Sequence, residues 1–377
     1  MSGGAQPEDG ASAPAGQGRR TPPRQATMKD IARRAGVSES AVSFALNDRP
    51  GVSEATRARV RRVAEQLGWR PNSAARALSG EAVGAVGLVL TKRGRTLGVD
   101  SFFLELISGV QQVLADHHLG LLFQVVEDVD AECATYQRWW AERRVDGVLV
   151  VDPRSSDPRP ELLDSLGLPA VVIGSLSDEL AEKLDSFEAM TNLRTDDDAA
   201  MAHVVRHLHG LGHRRILHIA GLPDLAHTAR RIRSLRREAA NLGLAEVRSV
   251  VTDYSDAEGA AATRRALQEA RPPTAIIYDN DVLATAGVSA LAAHGLSVPE
   301  DISVVAWEDS LLCRMVHPWL TALARDTVAL GRSAAEQLTA LVQGGRAKAT
   351  DPLLPELIAR ESTAPPARTV GGASGGT

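Results

Sequence analysis

The sequence predicts a small all-α head joined to a larger α/β body of two lobes, each built on a doubly wound parallel sheet. Three observations predict it. Residues 27–80 hold three short helical patterns separated by turn signals. From residue 82 onward, short β-branched runs alternate with helical stretches, the signature of parallel βα units. These runs are too many for one compact sheet of this kind, so two lobes in series are expected.

The head is read element by element. Thr27 followed by Asp30 reads as a capping box opening the first helix, with Ile31 and Ala32 inward and Gly36 as its stop. Ser38 caps the second helix, which runs through Ala41, Val42 and Ala45 to Asn47. Asn47-Asp48-Arg49-Pro50-Gly51 is a turn. Ser53 caps the third helix, whose apolar stripe is Val60, Val63, Ala64 and Leu67, and Gly68 ends it. After Pro71, Asn72 can cap one further short helix over 73–79.

In the body, strands are expected at 86–90, 121–126, 145–151, 170–173, 216–220, 274–278 and 302–306. Helices are expected at 102–116, 131–143, 197–210, 229–242, 256–270 and 281–294. Ligands of such sheets bind beyond the carboxyl ends of the strands, so two facing lobes place one cleft between them. Residues 1–26 and 364–377 are rich in Gly, Ala, Pro and Ser without periodicity and read as disordered tails.

Composition narrows the class. The 377 residues carry 42 Lys and Arg against 47 Asp and Glu, a net charge of −5, with 44% hydrophobic residues, enough for a packed core. No apolar run approaches the roughly 20 residues that span a bilayer. The opening MSGGAQPEDGASAPAGQGRR lacks the apolar stretch of a secretory signal, so a cytoplasmic location is expected. Cys133 and Cys313 are too few for a disulfide framework or a metal knuckle. The charge is uneven: residues 27–80 hold ten basic and five acidic side chains, while the rest of the chain is acidic. A basic module on an acidic body fits a polyanion-binding head.

Two short helices joined through Ala35-Gly36-Val37-Ser38 fit a helix-turn-helix. The second presents Glu39 and Ser40 and, one turn on, Ser43 and Phe44. A helix with a polar amino-terminal face can enter the major groove of DNA. Spacing alone leaves open a three-helix bundle with no nucleic-acid role.

The motifs go further. Asp30-Ile31-Ala32 with Ala35-Gly36-Val37-Ser38 is followed by Val42-Ser43 with Leu46-Asn47. Val52-Ser53 with Thr56-Arg57 and Val60 comes next, then Leu67-Gly68-Trp69 with Pro71-Asn72, and Ala75-Arg76 with Leu78. This run closely resembles the DNA-binding module of the lactose-repressor (LacI/GalR) family. The body follows in order with Phe102-Phe103, Gly212-His213-Arg214, Asn280-Asp281 and Asp301-Ile302-Ser303-Val304-Val305, so the resemblance spans nearly the whole chain outside the tails. It implies a bacterial transcription factor that binds a near-palindromic double-stranded operator as a homodimer, with a tetramer also open. The body it implies resembles the periplasmic sugar-binding proteins.

By this resemblance Glu39, Ser40 and Phe44 sit at base-reading positions. Glu can accept from cytosine N4, Ser is permissive, and Phe can contact a thymine methyl. Phe44 departs from the best-known members, which often carry Arg there, so no operator sequence carries over. Thr27, Ser38, Asn47 and Ser53 are placed at phosphates, with Arg57 supplying charge. Plain capping is the other reading of these Ser and Thr residues, and both can hold at a helix N-terminus. The 72–79 segment resembles the family's hinge helix, in which Asn72, Ala75, Arg76 and Leu78 meet the minor groove and Leu78 is the wedge between base pairs. An ordinary linker helix is the alternative.

In the body the resemblance places Phe102, Phe103, Arg231, Tyr254, Asn280 and Glu308 around a small-molecule effector. Carboxylate, amide and guanidinium make directed hydrogen bonds to a polyol, and aromatic faces cover the apolar side of a sugar ring. Glu308 stands where the family usually has Asp, and Ser234 stands where it has glycine. Core packing is the other reading for Phe102 and Phe103, and helix capping for Asn280. A purine or other metabolite as effector, a sugar-binding protein without DNA activity, and a sugar-metabolising enzyme on the same fold are the rivals. His203, His207, His209 and His213 lack the carboxylate or cysteine pattern that would complete a metal site. Gly84 and Gly87 make no dinucleotide fingerprint, and no phosphate loop occurs, so no cofactor is expected. The expected boundaries are a tail to 26, the head at 27–71, the hinge at 72–81 and the body at 82–363. Within the body the first lobe covers about 82–190 plus 320–335, and the second about 191–319 plus 336–363.

Overall fold

The computed structural model describes residues 26–69, 82–91, 101–346 and 351–367. The expected hinge at 72–81, with Asn72, Ala75, Arg76 and Leu78, lies outside the described residues, as does most of both expected tails. The chain divides into two compact units that part after Ser79.

The head contains α1 (Met28–Ala35), α2 (Glu39–Leu46) and α3 (Glu54–Gln66). Each starts where a side-chain acceptor meets its free N–H groups. Thr27 and Asp30 form a reciprocal capping box, Ser38 accepts from the Ala41 N–H, and Ser53 accepts from the Thr56 N–H. Gly36 ends α1 in the left-handed region at φ 67°. Ile31, Ala35, Val42, Ala45, Val60, Val63 and Ala64 close a small core, with Leu67 and Trp69 packed against it.

The first lobe of the body carries a five-stranded parallel sheet. Its strands are β1 (Ala85–Thr91), β2 (Gly120–Val126), β3 (Gly147–Val150), β4 (Ala170–Ile173) and β5 (Met190–Leu193), in the order β2-β1-β3-β4-β5. Helices α4 (Ser101–Asp116), α5 (Val129–Ala141), α6 (Arg159–Leu166) and α7 (Asp178–Lys183) connect them. The second lobe holds β6 (Arg215–Ala220), β7 (Glu246–Val251), β8 (Ala275–Tyr278), β9 (Ser303–Ala306), β10 (Thr321–Ala324) and β11 (Glu356–Ile358). Their order is β11-β10-β9-β8-β6-β7, parallel except where β11 joins β10 antiparallel. Helices α8 (Asp197–Leu211), α9 (Ala226–Asn241), α10 (Asp256–Leu267) and α11 (Asp281–Ala293) link these strands. The short α12 (Leu311–Met315) follows β9. Both sheets reverse strand order once, between β1 and β3 and between β6 and β8, and such reversals open a ligand crevice at the carboxyl ends.

The lobe division differs from the expected one. Residues 321–324 pair with β9 and β11 and so belong to the second sheet, not to the first lobe. The helix that follows, α13 (Thr327–Val342), lies wholly on the first lobe, where Leu330, Ala334, Leu338 and Leu341 enter its core. Two glycines permit this contact. A Cβ on Gly109 would stand 2.0 Å from the Val328 carbonyl oxygen, and one on Gly331 2.2 Å from that of Leu106, so α4 and α13 meet backbone to backbone. The body also runs past 363. The Ala364 N–H donates to Ser303, and its carbonyl accepts from His213, because Thr363 and Ala364 line the end of the second sheet.

Candidate functional site

On the head, Glu39, Ser40 and Phe44 are exposed along α2, Ser43 is half-buried, and Asn47 is exposed at its C-terminal end. Val42 and Ala45, on the opposite side, are buried. The exposed side therefore combines a carboxylate, hydroxyls and an aromatic ring, with Lys29, Arg33, Arg34, Arg49, Arg59 and Arg62 exposed on the same small unit. Thr27, Ser38 and Ser53 act as helix caps, the alternative set beside phosphate contact. Arg57, expected to supply charge to a phosphate, is turned inward: its side chain is 12% exposed. Its guanidinium donates to the carbonyls of Phe44 (3.3 Å), Ala45 (3.4 Å) and Arg49 (3.1 Å) and to Asp48 (2.8 Å). It shapes the turn after α2, where Arg61 also grips Asp48.

In the body, Arg231 and Tyr254 meet at the carboxyl ends of the second sheet, brought together by Asp279. Arg231 is buried on α9. Its Nε donates to Asp197 at 3.0 Å and its Nη1 to Asp279 at 3.0 Å, and its guanidinium lies 4.2 Å from the ring centre of Trp307. Asp279 also faces His218 Nε2 at 3.0 Å and accepts from the Gly221 N–H at 2.9 Å and the Tyr254 hydroxyl at 3.4 Å. His227 Nε2 lies 2.9 Å from that hydroxyl. Tyr254 is held at φ 65°, and its ring occupies the space where a side chain on Gly221 would go, 1.8 Å from an added Cβ. Trp307 is buried at the end of β9, and its indole N–H meets no acceptor among the described residues.

The charges are mutually held. Burial alone would lower the Arg231 guanidinium, but Asp279 and Asp197 outweigh it and raise it. Burial would raise the Asp279 carboxyl, but Arg231 and His218 hold it far below the usual carboxylate range. At Asp197 burial prevails over the pull of Arg231 and pushes the carboxyl up. Burial, then Asp279, raises the Tyr254 hydroxyl well above its usual value. The buried cluster is thus one guanidinium between two carboxylates, with an indole and a phenol beside them. Such an array donates and accepts directed hydrogen bonds without offering an uncompensated positive charge.

Phe102 and Glu308 meet through a different residue. Arg325 pairs with Glu308 and lies 4.5 Å from the ring centre of Phe102, and all three line a small crevice. Phe103, expected beside the effector, is 3% exposed in the first-lobe core, edge-on to Phe102, because the inward face of α4 falls on it. The Asn280 side chain caps α11, its Oδ1 accepting from the Leu283 N–H at 2.8 Å. Sequence reasoning missed Asp197, His218, His227, Asp279, Trp307 and Arg325. Asp279 stands beside the Asn280-Asp281 pair, and Trp307 beside Glu308, so the motif neighbours were the available signal.

Two of the four histidines singled out in sequence, His207 and His213, make structural contacts. His207 meets Thr363, and His213 meets Thr274, Ser303 and Ala364. Among the described residues, no group of His, Cys, Asp and Glu is arranged to hold a metal ion, and no helix is long and apolar enough to cross a membrane.

Comparison with known proteins covers both units. Residues 27–72 match the family of bacterial regulatory proteins named for lacI, and residues 205–363 match the periplasmic binding protein-like domain. The HTH-type transcriptional regulator CelR of Thermobifida fusca is 30% identical over 348 residues, covering 90% of this chain and 98% of that protein. The HTH-type transcriptional repressor PurR of Aliivibrio fischeri is also 30% identical, over 349 residues, covering 89% of this chain and 98% of its own length. Among solved structures, a CelR–cellobiose complex superposes with a TM-score of 0.64 at 27% identity, covering 89% of this chain and 99% of that one.

Proposed function

The chain belongs to the LacI family of DNA-binding transcriptional regulators, which are not enzymes, and from that premise we propose that it is a repressor whose operator affinity is set by a neutral sugar bound between its lobes. The observation that carries the effector reading is the cluster of Arg231, Asp197, Asp279, Tyr254 and Trp307 at the carboxyl ends of the second sheet, whose chemistry suits the hydroxyls and ring faces of a saccharide. That CelR was solved with cellobiose supports the same class of ligand.

In this reading α2 enters the major groove, with Glu39, Ser40 and Phe44 at base edges and the exposed arginines near phosphates. Two copies bind the two half-sites of an operator, and the segment with Asn72, Ala75, Arg76 and Leu78 meets the minor groove between them. Leu311, Met315 and Trp319, each more than half exposed on the second lobe, support an apolar contact between copies. The effector favours one lobe arrangement and thereby shifts the population competent for DNA.

The test is a thermal-shift screen of the full chain against cellobiose, other neutral mono- and disaccharides, and purine bases, followed by calorimetric titration of hits. A saccharide hit that is lost in Arg231→Ala supports the proposal. A purine hit favours the second reading, which the equal similarity to PurR keeps open. Stabilisation by none of the saccharides contradicts the sugar assignment.

A further inference from the structure

Besides the clamp that Asp197 and Asp279 close around Arg231 within the second lobe, the two lobes join each other through their main chains. Pro153 and Ser155 lie in the loop after β3 of the first lobe, and Asp224 and Ala226 lie where β6 of the second lobe gives way to α9. The Ala226 N–H donates to the Pro153 carbonyl at 2.8 Å, and the Ser155 N–H donates to the Asp224 carbonyl at 2.8 Å. Arg154 and Leu225 face each other as an antiparallel bridge, and the Arg154 guanidinium pairs with the Asp224 carboxylate. Ala226 is the first residue of α9, a helix with no side-chain cap. The first N–H groups of a helix have no partner within it. Here one of them is satisfied by the opposite lobe.

Each half of the contact is held firmly within its own lobe. The buried Arg159 guanidinium donates to the carbonyls of Val151 and Asp152, both at 2.9 Å, to Glu132 at 2.9 Å, and to Asp157 at 2.9 and 2.7 Å. Asp157 in turn accepts from the Arg154 N–H at 3.0 Å, so the 152–158 loop has a set shape. On the other side, α9 carries His227 and Thr228 to the Tyr254 hydroxyl and Arg231 to Asp279. Its Arg230 reaches the Leu176 carbonyl of the first lobe at 2.5 Å.

We propose that the bridge between 153–155 and 224–226 is an inter-lobe latch that caps α9 only while the lobes are closed. Opening hands the Ala226 N–H to water and parts Arg154 from its carboxylate. Ala226 and Arg231 are less than two turns apart on one helix, so the latch and the clamp move as parts of one rod. The latch needs no particular effector and stands apart from the sugar assignment.

The test uses the full chain without ligand. Ala226→Pro removes the bridging N–H but keeps the helix, because proline is favoured at the first helical position. Leu225 already has the extended geometry, φ −77° and ψ 134°, that a residue before proline requires. Arg154→Asp, Asp224→Arg and the charge-swapped double variant form a second set. Hydrogen exchange of the Ser155 amide and the radius of gyration in small-angle scattering are measured on all. Exchange is expected to rise roughly fivefold, the ratio that one net hydrogen bond represents. The radius of gyration is expected to grow in Ala226→Pro and in each single charge reversal, and the swap should return both readouts toward the parent. Unchanged exchange and scattering in Ala226→Pro with its helix content intact would overturn the latch. So would a swapped double variant no better than the single reversals, and that set decides alone if Ala226→Pro loses helix.

Discussion

Asp279→Asn is the most informative single change in the body, since it keeps the volume and removes a charge. The native Oδ1 accepts from Arg231 at 3.0 Å and faces His218 at 3.0 Å, while Oδ2 accepts from the Gly221 N–H at 2.9 Å. An amide keeps one acceptor and turns the other corner into a donor, so either the guanidinium or the Gly221 N–H meets a donor. Removing one partner of a buried ion pair costs about 3–5 kcal/mol. Arg231 keeps Asp197 at 3.0 Å, which places the expected loss at the lower end of that range. For a body of this size each kcal/mol moves the melting point by about 2–4 °C, so a loss of about 3 kcal/mol is a fall of about 6–12 °C in the body transition. Scanning calorimetry of the full chain reads it, and urea titration with an unchanged slope confirms that stability alone moved. Arg231→Met in the same background should cost less than it does alone, because its carboxylate partner is already neutral. A loss under about 1 kcal/mol, or strict additivity of the two changes, would refute the account of the clamp.

Three further outcomes are expected. Arg57→Ala should lower the stability of the head by about 1–3 kcal/mol by stripping the turn after α2 of its donor, while Arg62→Ala, exposed nearby, should stay within about 0.5 kcal/mol; equal melting of the two variants would contradict the inward role of Arg57. Gly221→Ala should destabilise the body by about 1–3 kcal/mol by expelling the Tyr254 ring, and the penalty should nearly vanish in a Tyr254→Ala background. Burial lowers the His213 imidazole below its usual value, with His207 shifted in the same direction, so near pH 6 the unfolded chain binds more protons than the folded one. Stability is then expected to rise with pH up to the unfolded value of about 6.5 and to be lost below it, and His213→Asn should flatten that slope in a melting series; an unaltered slope would contradict it.

The head was legible almost residue by residue, because short helices are bounded by local chemistry. Thr27 with Asp30, Ser38 and Ser53 all cap where the sequence marks them, and Gly36 and Gly68 both end helices in the left-handed region. The long apolar strands of the body were equally plain. Its weaker strands were not: β7 contains Glu246 and Arg248, β5 contains Thr191 and Asn192, β10 contains two alanines and a threonine, and β11 opens on Glu356, so none presents a β-branched apolar run. Without β10 the crossing between lobes could not be placed, and the lobe division went wrong at 321–324 and again at 336–342, while 327–335 fell on the first lobe as expected.

The site followed the same rule. Arg231 and Tyr254 were placed by the family resemblance and do meet in the structure, but Asp279 and His218 join them through a contact between β8 and β6 that no local pattern encodes. Phe103 and Asn280 show the converse case, in which the alternative reading of each, core packing and helix capping, is what the structure displays. Each sits at the expected position, and each is engaged by its own helix, one in the core and one as a cap.

The most direct measurement is selection of duplexes from a random library by the purified full chain, followed by fluorescence anisotropy of the enriched sequence with and without the saccharide that stabilises the protein. An inverted repeat should emerge, bound roughly 10³-fold or more tighter than scrambled duplex, with affinity that falls steeply with salt and shifts when the saccharide is added. A library that stays random after repeated rounds, or a selected site whose affinity ignores every ligand that binds the body, would contradict the account.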